Sequence, residues 1–555
     1  MSLSAVDRVM GLTIGDAFRR TVERFPDEDF LAAPPADGRG YHEAGFELTY
    51  AGASRAVDTL VDRYREAGFG AGDRIALALD NRPEHVLHRL ALNTLGISCV
   101  PINPDYRPGE VAYLLEHSEA ALVVHLERHR ETVALANAEL GRPVASWVFE
   151  SRDEAFPSAS RSASTGAVSP ESEAQLLYTS GTTGRPKGCV MSHQYELLCG
   201  SWYADLEGTF AFREGEERVY NPLPLYHVNA GVVSILGMML IGGCQIQPDR
   251  FHPRSWWRDV VATRASVVHY LGVVAPMLLN QPDDPLERAH GVRFGWGAGI
   301  EPDLHRVFEE RFGFPMVELW GMTEMCRVLR ADREPRKRGT RAMGRAVPGL
   351  DVEIRDENDA PLPDGQPGEM VVRFSADNPR LGAFSGYLKD EAATEEAWRG
   401  GWFHTGDTVY RAADGMLHFV DRKKNIIRRS GENIAAAEVE AVLQVRDEVA
   451  QVAVLAVPDD VREEEVLACI VLADGMTASD ALARDLFGHC NQRMAYFKPP
   501  GWIMFVEDLP KTGSQKIQKH RIFEPGSDPL KAAGMIDLRA LKRRGRGRGG
   551  EAPTG

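Results

Sequence analysis

Two spacings of apolar residues alternate along this chain. Residues 13–24 repeat apolar positions with the helical period, and residues 50–66 do so again with Leu60, Val61 and Tyr64 on one face. Between such stretches lie short continuous apolar runs. Arg74-Ile75-Ala76-Leu77-Ala78-Leu79 reads as a buried strand, residues 83–95 as the helix after it, and residues 120–126 as a further strand. Strands alternating with helices predict an α/β fold of layered, largely parallel sheets. Residues 158–172, rich in Ser and Ala, read as a loop. Residues 228–247 carry no charge, but Gly231, Gly237, Gly242 and Gly243 interrupt them and Asn229 and Ser234 are polar. The stretch predicts a buried core helix and no membrane span.

The pattern changes toward the C-terminus. A β-rich run with turn signals at Asp364-Gly365 and Asp414-Gly415 ends near Asp421. Beyond a basic cluster come a helix (435–445), strands (452–457 and 467–472) and a helix (479–490), enough for a small α+β unit. The predicted organisation is therefore a large domain over 1–421, a small one over 422–541, and a basic, glycine-rich and disordered tail over 542–555.

Composition narrows the function classes. The 555 residues exceed what one core holds. A net charge of −16 argues against nucleic acid as a partner. Seven cysteines, at 99, 189, 199, 244, 326, 469 and 490, include no Cys-x-x-Cys, which points to reduced thiols in a cytoplasmic protein. Asp7 and Arg8 follow Met1 closely with no apolar h-region, so no signal peptide is expected. His125 and His129 are four apart but flank Glu127 and Arg128, which reads as a solvated face better than as a metal site.

The chemistry is concentrated in a few motifs. Residues 178–188 read Tyr-Thr-Ser-Gly-Thr-Thr-Gly-Arg-Pro-Lys-Gly. Thr179, Ser180, Gly181, Thr182, Thr183 and Gly184 offer hydroxyls and close backbone approach, and Lys187 a point charge, all suited to a polyphosphate. The spacing is not that of a Walker loop. Further on stand Gly295-Trp296-Gly297-Ala298-Gly299, then Trp320-Gly321-Met322-Thr323-Glu324, then Gly401-Trp402-Phe403-His404-Thr405-Gly406-Asp407. A carboxylate such as Glu324 suits Mg²⁺ bound through phosphates and water, and Asp407 suits ribose hydroxyls. Pro224-Leu225-Tyr226-His227-Val228 precedes the uncharged stretch, Arg422 and Lys424 begin the second unit, and Arg428-Arg429-Ser430-Gly431-Glu432-Asn433 and Lys511-Thr512-Gly513-Ser514-Gln515-Lys516-Ile517 close the series.

Taken in order, these motifs resemble those of the acyl-adenylating superfamily: acyl-CoA synthetases, peptide-synthetase adenylation domains and beetle luciferases. The resemblance runs from about residue 13 to about residue 541. It implies a large multi-layer adenylate-forming domain with a β-barrel-like portion, plus a small mobile α+β C-terminal domain. It also implies an AMP-forming acid–CoA ligase using ATP, Mg²⁺ and coenzyme A. Gly297, Ala298 and Gly299 would lie against adenine with Trp320, Gly321 and Met322. Trp320 stands where the family carries tyrosine, so stacking survives and a phenol hydrogen bond does not. Asp407 and Arg422 would hold the ribose, Thr323 a phosphate oxygen and Glu324 the metal. Lys424 takes the hinge position. Arg428, Gly431 and Glu432 form the loop for the second half-reaction. Lys516 would reach the reacting carboxylate and α-phosphate, although Gln515 replaces a family glycine. Trp296, Trp320, Val228, Met325 and His227 would line the acyl pocket. Two tryptophans make that pocket short, which predicts short, medium or compact ring acids in the general style of the carnitine/crotonobetaine ligases. The resemblance also allows a homodimer, a stand-alone enzyme loading a carrier protein, a luciferase-like oxygenase, and a non-catalytic nucleotide sensor.

Overall fold

The computed structural model describes residues 7–151, 154–160, 166–179, 185–272, 274–422, 426–510, 517, 519–524 and 527–543, without the side chains of 326–328, 421, 422 and 520. The first predicted helix runs Ile14–Arg24. Thr13 starts it: its hydroxyl accepts the Asp16 N–H at 3.1 Å, and the Asp16 carboxylate accepts the Thr13 N–H at 3.2 Å. This reciprocal pair satisfies two amides that a helix start otherwise leaves without partners. Helix Tyr50–Glu66 is capped by Thr49, whose hydroxyl accepts the Gly52 N–H, and helix Pro83–Thr94 begins on a proline, whose missing N–H costs nothing in a first turn.

Two sheets carry the large lobe. In one, strands Arg74–Ala78, Ser98–Pro101, Leu122–His125, Ala145–Val148 and Glu173–Thr179 run parallel, and Lys187–Ser192 and Gly386–Tyr387 extend it antiparallel. In the other, strands Asp29–Ala33, Cys244–Ile246, Arg218–Tyr220, Val267–Leu271, Phe294–Ala298 and Met316–Met322 are parallel, with antiparallel edges Phe46–Thr49 and Met325–Arg330. The central strands are buried along their length, which is why they read as unbroken apolar runs. The β-rich run forms an antiparallel sheet whose strands stand in the order Ala342–Gly344, Leu417–Arg422, Phe403–Arg411, Gly368–Arg373, Asp351–Arg355.

The small lobe is an α+β unit. A hairpin (Ile426–Arg429 and Glu432–Ala435), the long pair Val449–Asp459 and Glu463–Leu472, and strands Trp502–Phe505 and Met535–Asp537 form its sheet, packed by helices Ala436–Gln444 and Asp480–Arg493. Its core around Val439, Val454, Ile470 and Leu486 is a cluster of its own.

The uncharged stretch departs from expectation. It is not one helix: Asn229–Ser234 is a π-helical turn, Ile235–Ile241 an α-helix, and Cys244–Ile246 a strand. The cause is tertiary. A Cβ on Gly231 would stand 2.0 Å from the Leu225 carbonyl oxygen, so the backbone is pressed against the segment before it. The Gly231 carbonyl accepts from the buried Arg89 guanidinium, which is itself paired with the buried Glu196. Among the described residues no helix is long and apolar enough to cross a membrane.

Candidate active site

Most of the motif residues lie at the carboxyl ends of the parallel strands, where open α/β sheets bind ligands. Tyr220 ends one strand and leads to His227, Leu271 ends the next and leads to Gly272, and Ala298 ends the third and leads to Gly299. Strand Met316–Met322 leads to Thr323 and Glu324, and Thr179 ends a strand of the other sheet.

Thr179 and Lys187 are the last paired residues of an antiparallel hairpin, so its two arms present the phosphate motif between them. Ser180, Gly181, Thr182, Thr183 and Gly184 lie outside the described residues. Lys187 Nζ stands 3.8 Å from Asp390 and 4.7 Å from the centre of the Tyr387 ring. The same tyrosine donates its hydroxyl to Glu324 at 2.9 Å. Tyr387 therefore stands between the candidate phosphate cation and the candidate metal carboxylate, a link invisible in the sequence because the three come from distant segments. Burial and the Glu324 charge push its phenol well above the ordinary range, so it remains a donor. The Thr323 carbonyl accepts the Tyr195 hydroxyl at 2.6 Å, which fixes the turn.

The glycine loop is held by a residue that sequence reading missed. Glu318, half-buried, accepts the Gly299 N–H at 2.8 Å, the Ile300 N–H at 3.3 Å and the Tyr270 hydroxyl at 2.5 Å. Burial pushes its carboxyl up to about 7, against the pull of these bonds. Gly297 permits close packing: a Cβ there would meet the Tyr270 carbonyl oxygen at 2.1 Å. Gly299 has a φ of 83°, the left-handed region that suits glycine.

Trp320 corrects the expectation of an open stacking platform, for it is 5% exposed and belongs to the main core cluster. Its indole N–H donates to Asp407 at 2.7 Å. The tryptophan at the family's tyrosine position thus orients the candidate ribose acid. Gly321 and Met322 follow on the same strand across a register shift. Trp320→Phe keeps the ring and deletes the donor. Loss of one such bond to a buried carboxylate costs about 1–3 kcal/mol, so the KM for ATP is expected to rise roughly tenfold with kcat little changed. Steady-state kinetics in ATP check this; an unchanged KM would place Asp407 away from the nucleotide.

Trp296 also differs from the expected pocket wall. It is fully buried, with ring centres 6.2 Å from Trp202 and 6.1 Å from Tyr203. Met325 is buried as well, whereas Val228 is half-buried against the core. Of the predicted acyl wall, only Val228 and His227 line the cleft, which has a volume of about 40 Å³ and also touches Tyr178, Thr179, Thr323 and Phe497. A larger cavity of about 400 Å³, between Leu115–Glu119 and Leu140–Val144, includes none of the motif residues.

The small lobe closes this cleft. In its first hairpin, Ser430 and Gly431 have φ of 52° and 85°, the two positive values of a tight two-residue turn. A Cβ on Gly431 would reach Leu271 at 2.9 Å, so the tip is seated against the large lobe. Glu432 accepts the Tyr226 hydroxyl at 2.8 Å, meets His227 Nε2 at 3.3 Å and accepts from Asn103 at 3.4 Å. Burial alone would raise its pKa, but His227 and Tyr226 outweigh it and hold the carboxyl below the ordinary range. Arg428 takes part through its backbone N–H, which donates to Glu464 at 2.6 Å. The backbone of Arg422 pairs opposite Asp407. Lys424 and Lys516 lie outside the described residues.

Comparison with known proteins agrees with this geometry. The family described as "AMP-binding enzyme" matches residues 18–388, and "AMP-binding enzyme C-terminal domain" matches 438–516. The crotonobetaine/carnitine–CoA ligase of Salmonella paratyphi C is 30% identical over 492 residues, covering 86% of this chain and 93% of that one. The sulfoacetate–CoA ligase of Cupriavidus necator is 31% identical over 513 residues, covering 90% and 95%. Among solved structures, amide bond synthetase McbA from Marinactinospora thermotolerans matches with a TM-score of 0.74 and 26% identity, covering 91% of this chain and 98% of that one. The o-succinylbenzoate CoA synthetase of Bacillus subtilis shares the fold with a TM-score of 0.76 at 21% identity, covering 92% and 98%.

Proposed function

This chain belongs to the AMP-binding enzyme family and acts as an ATP-dependent, AMP-forming acid–thiol ligase through an acyl-adenylate, and from that premise we propose that its thiol is coenzyme A and its acid a compact carboxylate. In the first half-reaction a carboxylate oxygen bonds to the α-phosphorus of ATP and pyrophosphate leaves. In the second, the thiol sulfur bonds to the acyl carbon, the thiol gives up its proton, and AMP leaves. No covalent acyl-enzyme is required, so the protein's task is positioning and charge stabilisation.

The residues divide by half-reaction. Thr179, Lys187 and Thr323 face the phosphates, together with the hydroxyls of the phosphate motif. Asp407, oriented by Trp320, takes the ribose hydroxyls, and Gly297–Gly299, braced by Glu318, form the adenine seat. Mg²⁺ fits Glu324, a hard carboxylate oxygen at the end of a strand, because this ion takes one or two protein carboxylates and completes its shell with phosphate and water. When bound it would neutralise charge on the phosphates. Glu324→Gln is expected to raise the Mg²⁺ concentration needed for half-maximal pyrophosphate release and to slow that release. A Mg²⁺ titration checks it, and an unchanged midpoint would reduce Glu324 to a partner of Tyr387.

The observation that carries the thiol reading is the seating of the Ser430–Gly431 hairpin, with Glu432 on Tyr226 and His227 at the cleft. It brings the second lobe to the cleft, as transfer to a thiol requires. A compact acid is favoured because the cleft that Val228 and His227 line has a volume of only about 40 Å³. The two related ligases, named for crotonobetaine, carnitine and sulfoacetate, favour the same class. Buried thiols at Cys99, Cys244, Cys469 and Cys490 suit a reducing cytoplasm. A panel of carboxylic acids of increasing length, each incubated with ATP, Mg²⁺ and coenzyme A and read by mass spectrometry, tests the proposal. Compact acids should give thioesters. Best turnover of a palmitate-length chain would overturn the choice of acid and leave the ligase chemistry standing.

A further inference from the structure

Lys498 is a charged side chain buried where the two lobes meet. It is 3% exposed and lies between helix Asp480–Arg493 and strand Trp502–Phe505 of the small lobe. Its ammonium donates to Glu110 at 2.5 Å and to Glu438 at 2.7 Å. Glu438 is in helix Ala436–Gln444 of the same lobe, whereas Glu110 is in the first turn of helix Pro108–Ser118 of the large lobe. The ammonium also stands 4.9 Å from the centre of the Tyr106 ring, within reach of a cation–π attraction. Glu110 is anchored from below, accepting the Arg107 N–H at 2.8 Å, and Arg107 Nε donates across the junction to the Met494 carbonyl at 3.4 Å. Tyr106, Glu438 and Lys498 line the same cleft as His227 and Glu432.

We propose that Lys498 is a positioning residue for the thioester-forming half-reaction, and that its bond to Glu110 is an inter-lobe latch made when the Ser430–Gly431 hairpin is seated beside His227. The inference rests on the ligase reading above. Its physical basis is that the two bonds of Lys498 behave differently when the lobes move. The Lys498–Glu438 pair lies within one lobe and travels with it. The Lys498–Glu110 pair spans both and is lost in any arrangement that carries the small lobe away from helix Pro108–Ser118. A contact biases a conformational equilibrium only through the difference it makes between the two states, and this one makes such a difference. Burial works against the ammonium, but the two carboxylates outweigh it and hold its pKa above the ordinary lysine range. Without the cation, Glu110 and Glu438 would face each other as like charges in a place with little water, and the seated arrangement would lose ground.

Glu110→Gln and Lys498→Met test the latch, the first from the large lobe and the second from the small one, so that a folding defect in one lobe does not decide the result. Each half-reaction is measured alone: pyrophosphate release from ATP and acid, then thioester formation from supplied acyl-AMP and coenzyme A. Losing one partner of a buried charge pair is expected to slow thioester formation about tenfold or more while adenylation stays within about twofold. Energy transfer between fluorophores at Leu135 and Val445, which are 51% and 70% exposed on the two lobes, should report fewer molecules in the seated arrangement. Equal losses in both half-reactions, or unchanged rates with unchanged energy transfer, would overturn the latch. A wild-type chain that releases no pyrophosphate with any acid would defeat the ligase reading instead, and the energy-transfer comparison would still judge the ion pair.

Discussion

Lys516→Ala is expected to abolish acyl-adenylate formation while largely sparing thioester formation from supplied acyl-AMP. The reason lies in where charge develops. As the carboxylate attacks the α-phosphorus, negative charge builds on the phosphate oxygens, and the Lys516 ammonium, in the role proposed for it, would meet that charge. Removing one such preorganised contact typically costs about 2.7–4 kcal/mol of transition-state stabilisation, a rate loss on the order of 10²–10³. In the second half-reaction the cleft is served by Glu432 on Tyr226 and His227, and the role proposed for Lys516 belongs to the first. Pyrophosphate release and acyl-AMP consumption, assayed separately on the same preparation, check the result. Equal loss in both would remove Lys516 from the adenylation step.

Trp296→Ala is expected to destabilise the large lobe by about 3–5 kcal/mol, the usual range for deleting a large aromatic from a packed core. The indole is fully buried against Trp202 and Tyr203, adjacent residues of helix His193–Ala204, and that helix cannot move as a whole into the vacated space. Chemical denaturation measures this directly. If the variant is as stable as the parent and gains activity on longer acids, the indole faces the acyl chain in the working enzyme. A less stable variant with unchanged acid preference fits the core position.

Much of this site could be read along the chain because its chemistry is local. A run of hydroxyls and glycines, a Thr-Glu pair after a strand and a Thr-Gly-Asp triplet each carry their meaning within a few residues. The alternation of strand and helix was equally legible, because strands buried on both faces cannot tolerate charge. What the sequence concealed depends on contacts between distant segments. Glu318, Tyr387, Arg89 with Glu196, and Lys498 with Glu110 are charged or polar residues that would ordinarily be assigned to the surface, and only packing shows that they are paired and either buried or half-buried. The stretch after His227 was misread for a related reason. Its apolar residues suit a helix, but the approach of Gly231 to the Leu225 carbonyl and the grip of Arg89 on the Gly231 carbonyl turn its first part into a π-turn. Trp296 and Trp320 show the limit for aromatics. Their positions along the chain matched the expected motif, yet burial turned one into core and gave the other a hydrogen bond to Asp407 in place of an open stacking face.

The central claim is that one cleft first makes an acyl-adenylate and then gives its acyl group to a thiol. The most direct test is a two-stage reaction: enzyme, ATP, Mg²⁺ and a compact acid are mixed without coenzyme A, the bound species is analysed, and coenzyme A is then added. The expected result is a stoichiometric burst of pyrophosphate with enzyme-bound acyl-AMP, which the second addition converts to acyl-CoA and AMP. Pyrophosphate release that requires coenzyme A from the start, or an acyl-AMP that yields its acyl group to an added amine but not to coenzyme A, would contradict it.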